Sequence, residues 1–233
     1  MSQRQVVIPG IGQVTLAKRR GARNLRLSVT AKGEVRVSMP AWTPYAAGIS
    51  FARSRADWIN KNLQVYQPLL LSEGILIGKA HRLRFIKTTS SSIKTRVSAT
   101  SVEISTGLSF DSPEVQTKAL NAAERALRLE ASNLLPQRLE ALARQHDYSY
   151  KSVRIRKLTS RWGSCSQDKT ISLSYYLIQL PWPLIDYVLL HELAHTRQLN
   201  HGKAFWQEFE RSLPNAKALR KEIRKHKPRL EAH

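Results

Sequence analysis

Leu25, Leu27 and Val29 alternate with Arg26, Ser28 and Thr30, and Val35, Val37 and Met39 alternate with Arg36 and Ser38. A period of two puts alternate side chains on opposite faces, so both runs predict half-buried strands. Ala31-Lys32-Gly33 between them suits a hairpin turn, with Gly33 free to take positive φ. Pro40 and Pro44 end the pairing, and Ile49, Ala52, Ala56 and Ile59 then recur at helical steps up to about Leu63. Trp42 and Trp58 read as packing aromatics. A second set of strand signals follows at Leu83 and Phe85, Val97, and Val102 and Ile104, interrupted by the polar run Thr88-Thr89-Ser90-Ser91-Ser92. From Pro113 to about His146 an apolar stripe of Ala119, Ala122, Ala123, Ala126, Leu127, Leu134, Leu135, Leu139 and Leu142 predicts a long helix, which Pro136 is expected to kink or divide. No internal repeat is visible. The chain therefore reads as α+β, with a β-rich N-terminal region over 1–110 and a helix-rich part over 111–233.

The most informative segment is Tyr187 to Trp206, YVLLHELAHTRQLNHGKAFW. His191 and His195 stand four residues apart, which on a helix places both imidazoles on one face, one turn from each other. A zinc ion accepts neutral imidazole nitrogen at about 2.0–2.1 Å and keeps an open position when three protein ligands bind it. Glu192, next to the first ligand, is placed to take a proton from an attacking water without occupying the metal. Asn200, His201 and Gly202 fall where such a helix is expected to end, so Gly202 supports the reversal and His201 returns as a third ligand. Val188, Leu189, Leu190, Leu193 and Ala194 supply the apolar surroundings of a helix packed inside a domain. His81, His146, His226 and His233 have no comparable partners.

Upstream, Arg161-Trp162-Gly163-Ser164-Cys165-Ser166 precedes Ile171 and Leu173, which alternate as a strand does. A strand beside a metal cleft offers its backbone to an extended peptide, and Gly163 would let that peptide come close. Arg161, Trp162, Gly163, Ser164, Tyr175 and Tyr176 are the candidate substrate-binding residues. Arg161, Tyr175 and Tyr176 are also candidates to stabilise the oxyanion. Cys165 has no assignable triad partner, and packing is its expected role.

Composition changes this picture in one respect. In 233 residues there are 38 Lys+Arg against 17 Asp+Glu, a formal net charge of +21. Arg4, Lys18, Arg19, Arg20, Arg23, Arg26, Lys32 and Arg36 crowd the first forty positions against Glu34 alone. Lys217, Arg220, Lys221, Arg224 and Lys225 would share one face of a helix near the end. Such a field attracts polyanions, nucleic acid first among them, and equally serves solubility. A single cysteine excludes an intramolecular disulfide. No apolar run reaches the length of about 18 residues that a membrane-spanning helix needs. The opening MSQRQVVIPGIGQ lacks the pattern of a secretory signal, so a reducing cytoplasm is the expected compartment.

RWGSCS, ISLSYYL, P-x-x-x-I-D-Y-V-L-L-HELAH and NH-x-x-x-FW together resemble the YgjP-like zinc metallopeptidases, relatives of the SprT-like and Wss-like proteases in the zincin group. The strong motifs cover Leu158 to Trp206. The basic strand, the hairpin with Gly33 and Trp58-Ile59 extend the likeness toward the N-terminus. The resemblance implies a zincin-like core of small sheet, active-site helix and backing helix, one zinc ion held by His191, His195 and His201, Glu192 as base, and a peptide or protein substrate. Ser174 stands where Asn is more usual and Gly202 where Ser is. Two other readings keep the metal. In one, a zinc hydrolase acts on a nucleotide or another phosphate compound. In the other, zinc is structural in a nucleic-acid-binding protein, which lacks an evident fourth ligand.

Overall fold

The computed structural model describes residues 2–30, 33–65 and 70–230. It divides into two units, Met1–Leu69 and Leu70–His233. The first opens with strands β1 (Gln3–Ile8), β2 (Gly12–Arg19), β3 (Arg26–Val29) and β4 (Val35–Pro40), followed by helices α1 (Tyr45–Arg53) and α2 (Ala56–Val65). The sheet runs β1-β2-β4-β3, with β2 and β4 parallel and the outer pairs antiparallel. Ile8, Val14, Leu16, Val35, Val37, Met39 and Ile59 form its buried core. Gly33 takes a φ of 76°, as expected, whereas Ala31 and Lys32 lie outside the described residues. The helical stretch after Pro44 is broken at Ser54 into two helices. Trp42 and Trp58 do not pack inside: they are 73% and 45% exposed.

The second unit begins with β5 (Leu76–Ile77), β6 (His81–Lys87), β7 (Lys94–Val97) and β8 (Ser101–Thr106). Their order, β5-β6-β8-β7, and their senses, antiparallel, parallel, antiparallel, repeat those of the first sheet. A topological repeat is therefore present where the sequence shows none, because polar–apolar alternation can be kept while residue identities are not. The second sheet packs against α3 (Pro113–Gln145) and shares a unit with it, so the compact units divide earlier than the change of composition near residue 110. Helix α3 runs through Pro136 undivided. The carbonyl that this proline leaves unpaired belongs to Ser132, four residues earlier and exposed, where water can take it.

After α3 come β9 (Ser152–Arg156), β10 (Gly163–Cys165) and β11 (Thr170–Ser174), a short 3₁₀ helix at Tyr175–Gln179, then α4 (Trp182–Ala194), α5 (Lys203–Ser212) and α6 (Ala216–Ile223). The small sheet runs β10-β11-β9, with β11 antiparallel to β10 and parallel to β9. The mixed sheets and helices make the fold α+β. Pro183 sits in the first turn of α4, where its missing N–H costs nothing, and Leu189, Leu190 and Leu193 are buried along it. Each such side chain is worth about 1.5–3 kcal/mol, which fixes the helix inside the unit. Arg138 of α3 grips Asp186 of α4 with two hydrogen bonds, 2.7 and 2.6 Å. Among the described residues no helix is long and apolar enough to cross a membrane.

Candidate metal centre

Helix α4 ends at Ala194, earlier than the sequence pattern suggests, with His191 in its last turn and His195 as its C-cap. A turn follows in which the backbone N–H groups of Arg197 and Gln198 donate to the Ala194 carbonyl, and Thr196 donates its hydroxyl to Leu193. The chain then reverses and delivers His201 just before α5. Gly202, the N-cap of α5, has a φ of −74°, so the reversal makes no use of left-handed freedom and a Cβ there would meet open space. Arg197 secures the turn. Its guanidinium bonds Glu208 of α5 and the Asp147 carbonyl beyond α3, and lies 4.4 Å from the Tyr148 ring centroid.

The turn brings three imidazoles together. His201 Nε2 lies 3.0 Å from His191 Nε2 and 3.1 Å from His195 Nε2. The ligand atoms of the three all fall within 4.8 Å of one another. Three nitrogens about 2.0–2.1 Å from one ion at tetrahedral angles stand about 3.3 Å apart, close to this spacing. Nδ1 of His195 lies 3.0 Å from the Gln198 carbonyl, which can only accept, so that nitrogen carries the proton and Nε2 keeps its lone pair for the cluster. Burial pushes the His191 imidazole down to about 3, with the charges of His195, His201 and Arg220 acting in the same direction. Burial also lowers His195. Both rings are therefore neutral at neutral pH, the form that binds a metal. Phe205 and Phe209, fully buried, and Tyr187 enclose the His191 ring at 5.0, 5.5 and 6.1 Å between centroids. The site thus fits a metal held by three histidines.

Glu192 points from α4 toward β10, only 5% exposed, and its Oε2 has no hydrogen-bond partner. Burial raises its carboxyl to about 8, against the pull of the exposed Arg161. Gly163 is the reason it fits: a Cβ there would stand 2.7 Å from both Cγ and Oε1 of Glu192. The sequence suggests Gly163 as the point where a peptide comes close, whereas in the structure its bare face receives the glutamate. The strand with a free edge beside α4 is β10, carrying Gly163 and Ser164, and not β11, which is paired on both sides. The Trp162 carbonyl accepts the Ser174 N–H at 2.8 Å, and Ser174 Oγ donates to the Leu158 carbonyl at 2.8 Å, so serine closes this loop unaided.

Tyr175 and Tyr176 are not gathered with the histidines. Their buried hydroxyls donate to Glu124 of α3, to which Lys157 also donates at 2.8 and 2.6 Å. Cys165 is half-buried and its thiol is pushed up to about 11, by burial first and then by the charges of Glu192 and Asp168, so it is no thiolate nucleophile. Glu124, Arg197 and the Gln198 carbonyl escape sequence reasoning because their partners are distant in the chain or bound through the backbone. Phe205 and Trp206 are legible only as part of the family-like motif.

The model of the YgjP-like family, described as a metallopeptidase domain, matches residues 23–226. None of the curated proteins matches the chain. Among solved structures, the metallopeptidase zymogen abylysin of Pyrococcus abyssi is 30% identical over 40% of this chain and 93% of its own, with a TM-score of 0.37. The zymogen jannalysin of Methanocaldococcus jannaschii is 21% identical over 39% and 94%, with a TM-score of 0.35. Both likenesses are partial, and the assignment rests on the match over residues 23–226, which spans most of the chain: this protein belongs to the YgjP-like metallopeptidase family and is a hydrolase of that class.

Proposed function

We propose that the chain is a zinc-dependent peptidase in which His191, His195 and His201 hold one zinc ion and Glu192 is the general base. What carries the reading is the meeting of three imidazole Nε2 atoms beside a buried carboxyl group with an unpartnered oxygen. The chemistry such an ion supplies is Lewis acidity toward a water and a carbonyl oxygen. An extended peptide laid along the free edge of β10 pairs with main-chain groups of Gly163–Cys165, which sets its scissile carbonyl beside Glu192. Trp162 and Ser164 adjoin that edge. Glu192 takes a proton from the attacking water as the carbon–oxygen bond forms, and gives it to the departing amine nitrogen as the carbon–nitrogen bond breaks. Arg161, exposed and already acting on Glu192, is assigned to the developing oxyanion, since Tyr175 and Tyr176 are held by Glu124.

The test is cleavage of an unfolded protein by the zinc-loaded chain, with zinc content measured beside it. Wild type is expected to bind one zinc per chain and to cleave. Glu192→Gln should keep the zinc and lose about 10²–10⁴ in rate, and His195→Ala should lose the zinc. Normal turnover by the glutamine variant would remove Glu192 from the base role. Zinc-loaded wild type that turns over nucleotides but no peptide would favour the phosphate-compound hydrolase. The reading includes association with nucleic acid, supported by the net charge of +21, and work in a reducing cytoplasm, in keeping with a single cysteine.

A further inference from the structure

The first half of α3 carries Arg125 and Arg128 on an exposed face. Two cavities of about 620 and 560 Å³ adjoin there, and both arginines line both. One is closed by Arg156 and Lys157 at the end of β9, the other by Arg96 of β7. Strands β7 and β9 are edge strands of their respective sheets, so the result is a groove floored by a helix and walled by two sheet edges. Among the described residues none of Arg96, Arg125, Arg128 and Arg156 forms an ion pair. Arg125 does donate to Thr95 at 2.8 Å. Glu124, the acid lining the groove, is already held by Lys157 and two tyrosines. Glu103, opposite Arg96 in the ladder, accepts from Ser101.

Cations on edge strands commonly guard against edge-to-edge aggregation, which accounts for Arg96 and Arg156. It does not account for Arg125 and Arg128, which stand on a helix between the edges. Guanidinium groups set along a groove suit a ligand with repeated, forked acceptors, and nucleic acid presents one phosphate at every nucleotide, about every 3.4 Å of helix axis per strand in a duplex. An acidic peptide rarely sustains charge at that density. The groove's lining aromatic, Tyr175, is buried, so bases find no exposed ring to stack on. We propose that this groove binds the phosphate backbone of nucleic acid without reading its sequence. The inference deepens the nucleic-acid part of the reading above and moves it from the basic N-terminal strands and the tail to α3. None of the groove's lining residues belongs to the histidine cluster or its enclosure.

Fluorescence anisotropy of the full chain with a labelled single-stranded oligonucleotide of about 20 nucleotides, from about 50 to about 200 mM salt, tests this. Arg125→Gln/Arg128→Gln should weaken binding about tenfold or more and lower the salt slope by about 1.4, two phosphate contacts at about 0.7 each. Arg96→Gln/Arg156→Gln, on strands instead of the helix, should act in the same direction, both with unchanged melting temperature. Lys217→Gln/Lys221→Gln on α6 should change affinity less than about twofold. Equal loss in the α6 variant, or none in the groove variants, would overturn the groove while leaving nucleic-acid binding in place. Polyglutamate competing as well as DNA would overturn the ligand class. Failure of wild type to bind even at low salt would remove the nucleic-acid reading altogether.

Discussion

Two glutamates of the second unit are buried to the same degree, and their surroundings are opposites. Glu130 on α3 is 6% exposed and accepts from the backbone N–H groups of Lys79, Ala80 and His81 at 2.5, 2.9 and 3.1 Å, and from His81 Nδ1 at 2.5 Å. Its carboxylate latches the β5–β6 turn onto the helix. Glu192 on α4 is 5% exposed and leaves Oε2 unpartnered. Each lies against a glycine whose Cβ would collide with it, Gly78 and Gly163. A buried carboxylate with every acceptor position answered holds a fold together, whereas one kept partnerless costs folding energy and is poised to take a proton. The difference separates structure from chemistry more sharply than burial does.

Exchanging each carboxylate should break the comparison in opposite directions. Glu192→Gln is expected to lose about 10²–10⁴ in peptidase rate while keeping or slightly raising the unfolding midpoint. Glu130→Leu should cost about 3–5 kcal/mol in urea unfolding, because three N–H groups and the His81 ring lose their acceptor, while activity per folded molecule is retained. If both variants lost stability alike, Glu192 would be another structural acid.

Cys165 reports on the Glu192 side by its thiol chemistry. Burial, then the charges of Glu192 and Asp168, raise it to about 11. The thiol stays protonated at neutral pH, so alkylation by iodoacetamide at pH 8 should run about a hundredfold slower than for an exposed cysteine and climb about tenfold per pH unit until about pH 11. The folded value lies above the unfolded one. The folded state therefore holds this proton more tightly, and stability falls as pH rises between the two values. Alkylation that already levels off near pH 8 would mean an ordinary thiol.

The two glycines sharpen the contrast at smaller scale. Gly78 has a φ of 70° and a Cβ there would stand 2.9 Å from Glu130 Cδ, so Gly78→Ala meets backbone strain and a fixed latch together. It should cost about 1–3 kcal/mol in thermal or urea unfolding. Gly163→Ala meets Cγ and Oε1 of Glu192, a side chain whose other oxygen, Oε2, no hydrogen bond holds in place, so the carboxyl can swing aside. Its expected effect is about a tenfold fall in rate with a smaller loss of stability, in line with the sensitivity of catalysis to small displacements.

The metal side of this comparison was legible in the sequence and the latch was not. His191, Glu192 and His195 follow each other on one helix, and His201 returns within a few residues, so local spacing alone brings them together. The strands around Leu27, Val37, Leu83 and Ile104 also show themselves by alternation. Glu130 lies about fifty positions from the turn it holds, in the middle of an otherwise apolar stripe, and no periodicity marks such a partner. β1 stays hidden because most of its residues are exposed and its apolar and polar positions do not alternate. Tyr175 and Tyr176 look available beside the site in the sequence. Only packing against α3 reveals that Glu124 has claimed both hydroxyls.

Gly202 tests the weakest link of the site. It caps α5 directly after His201, in extended backbone, where an added Cβ would meet no atom within 4 Å, and no side chain answers the first N–H groups of that helix. A serine fits without strain and can accept from those groups, as Ser or Asn does at other helix starts. Gly202→Ser should therefore gain a few tenths of a kcal/mol in unfolding, with zinc content and rate unchanged. A loss of zinc in this variant would show that the loop needs glycine to carry His201 to its partners, and that the extended backbone with a φ of −74° is not the conformation in which the metal is held.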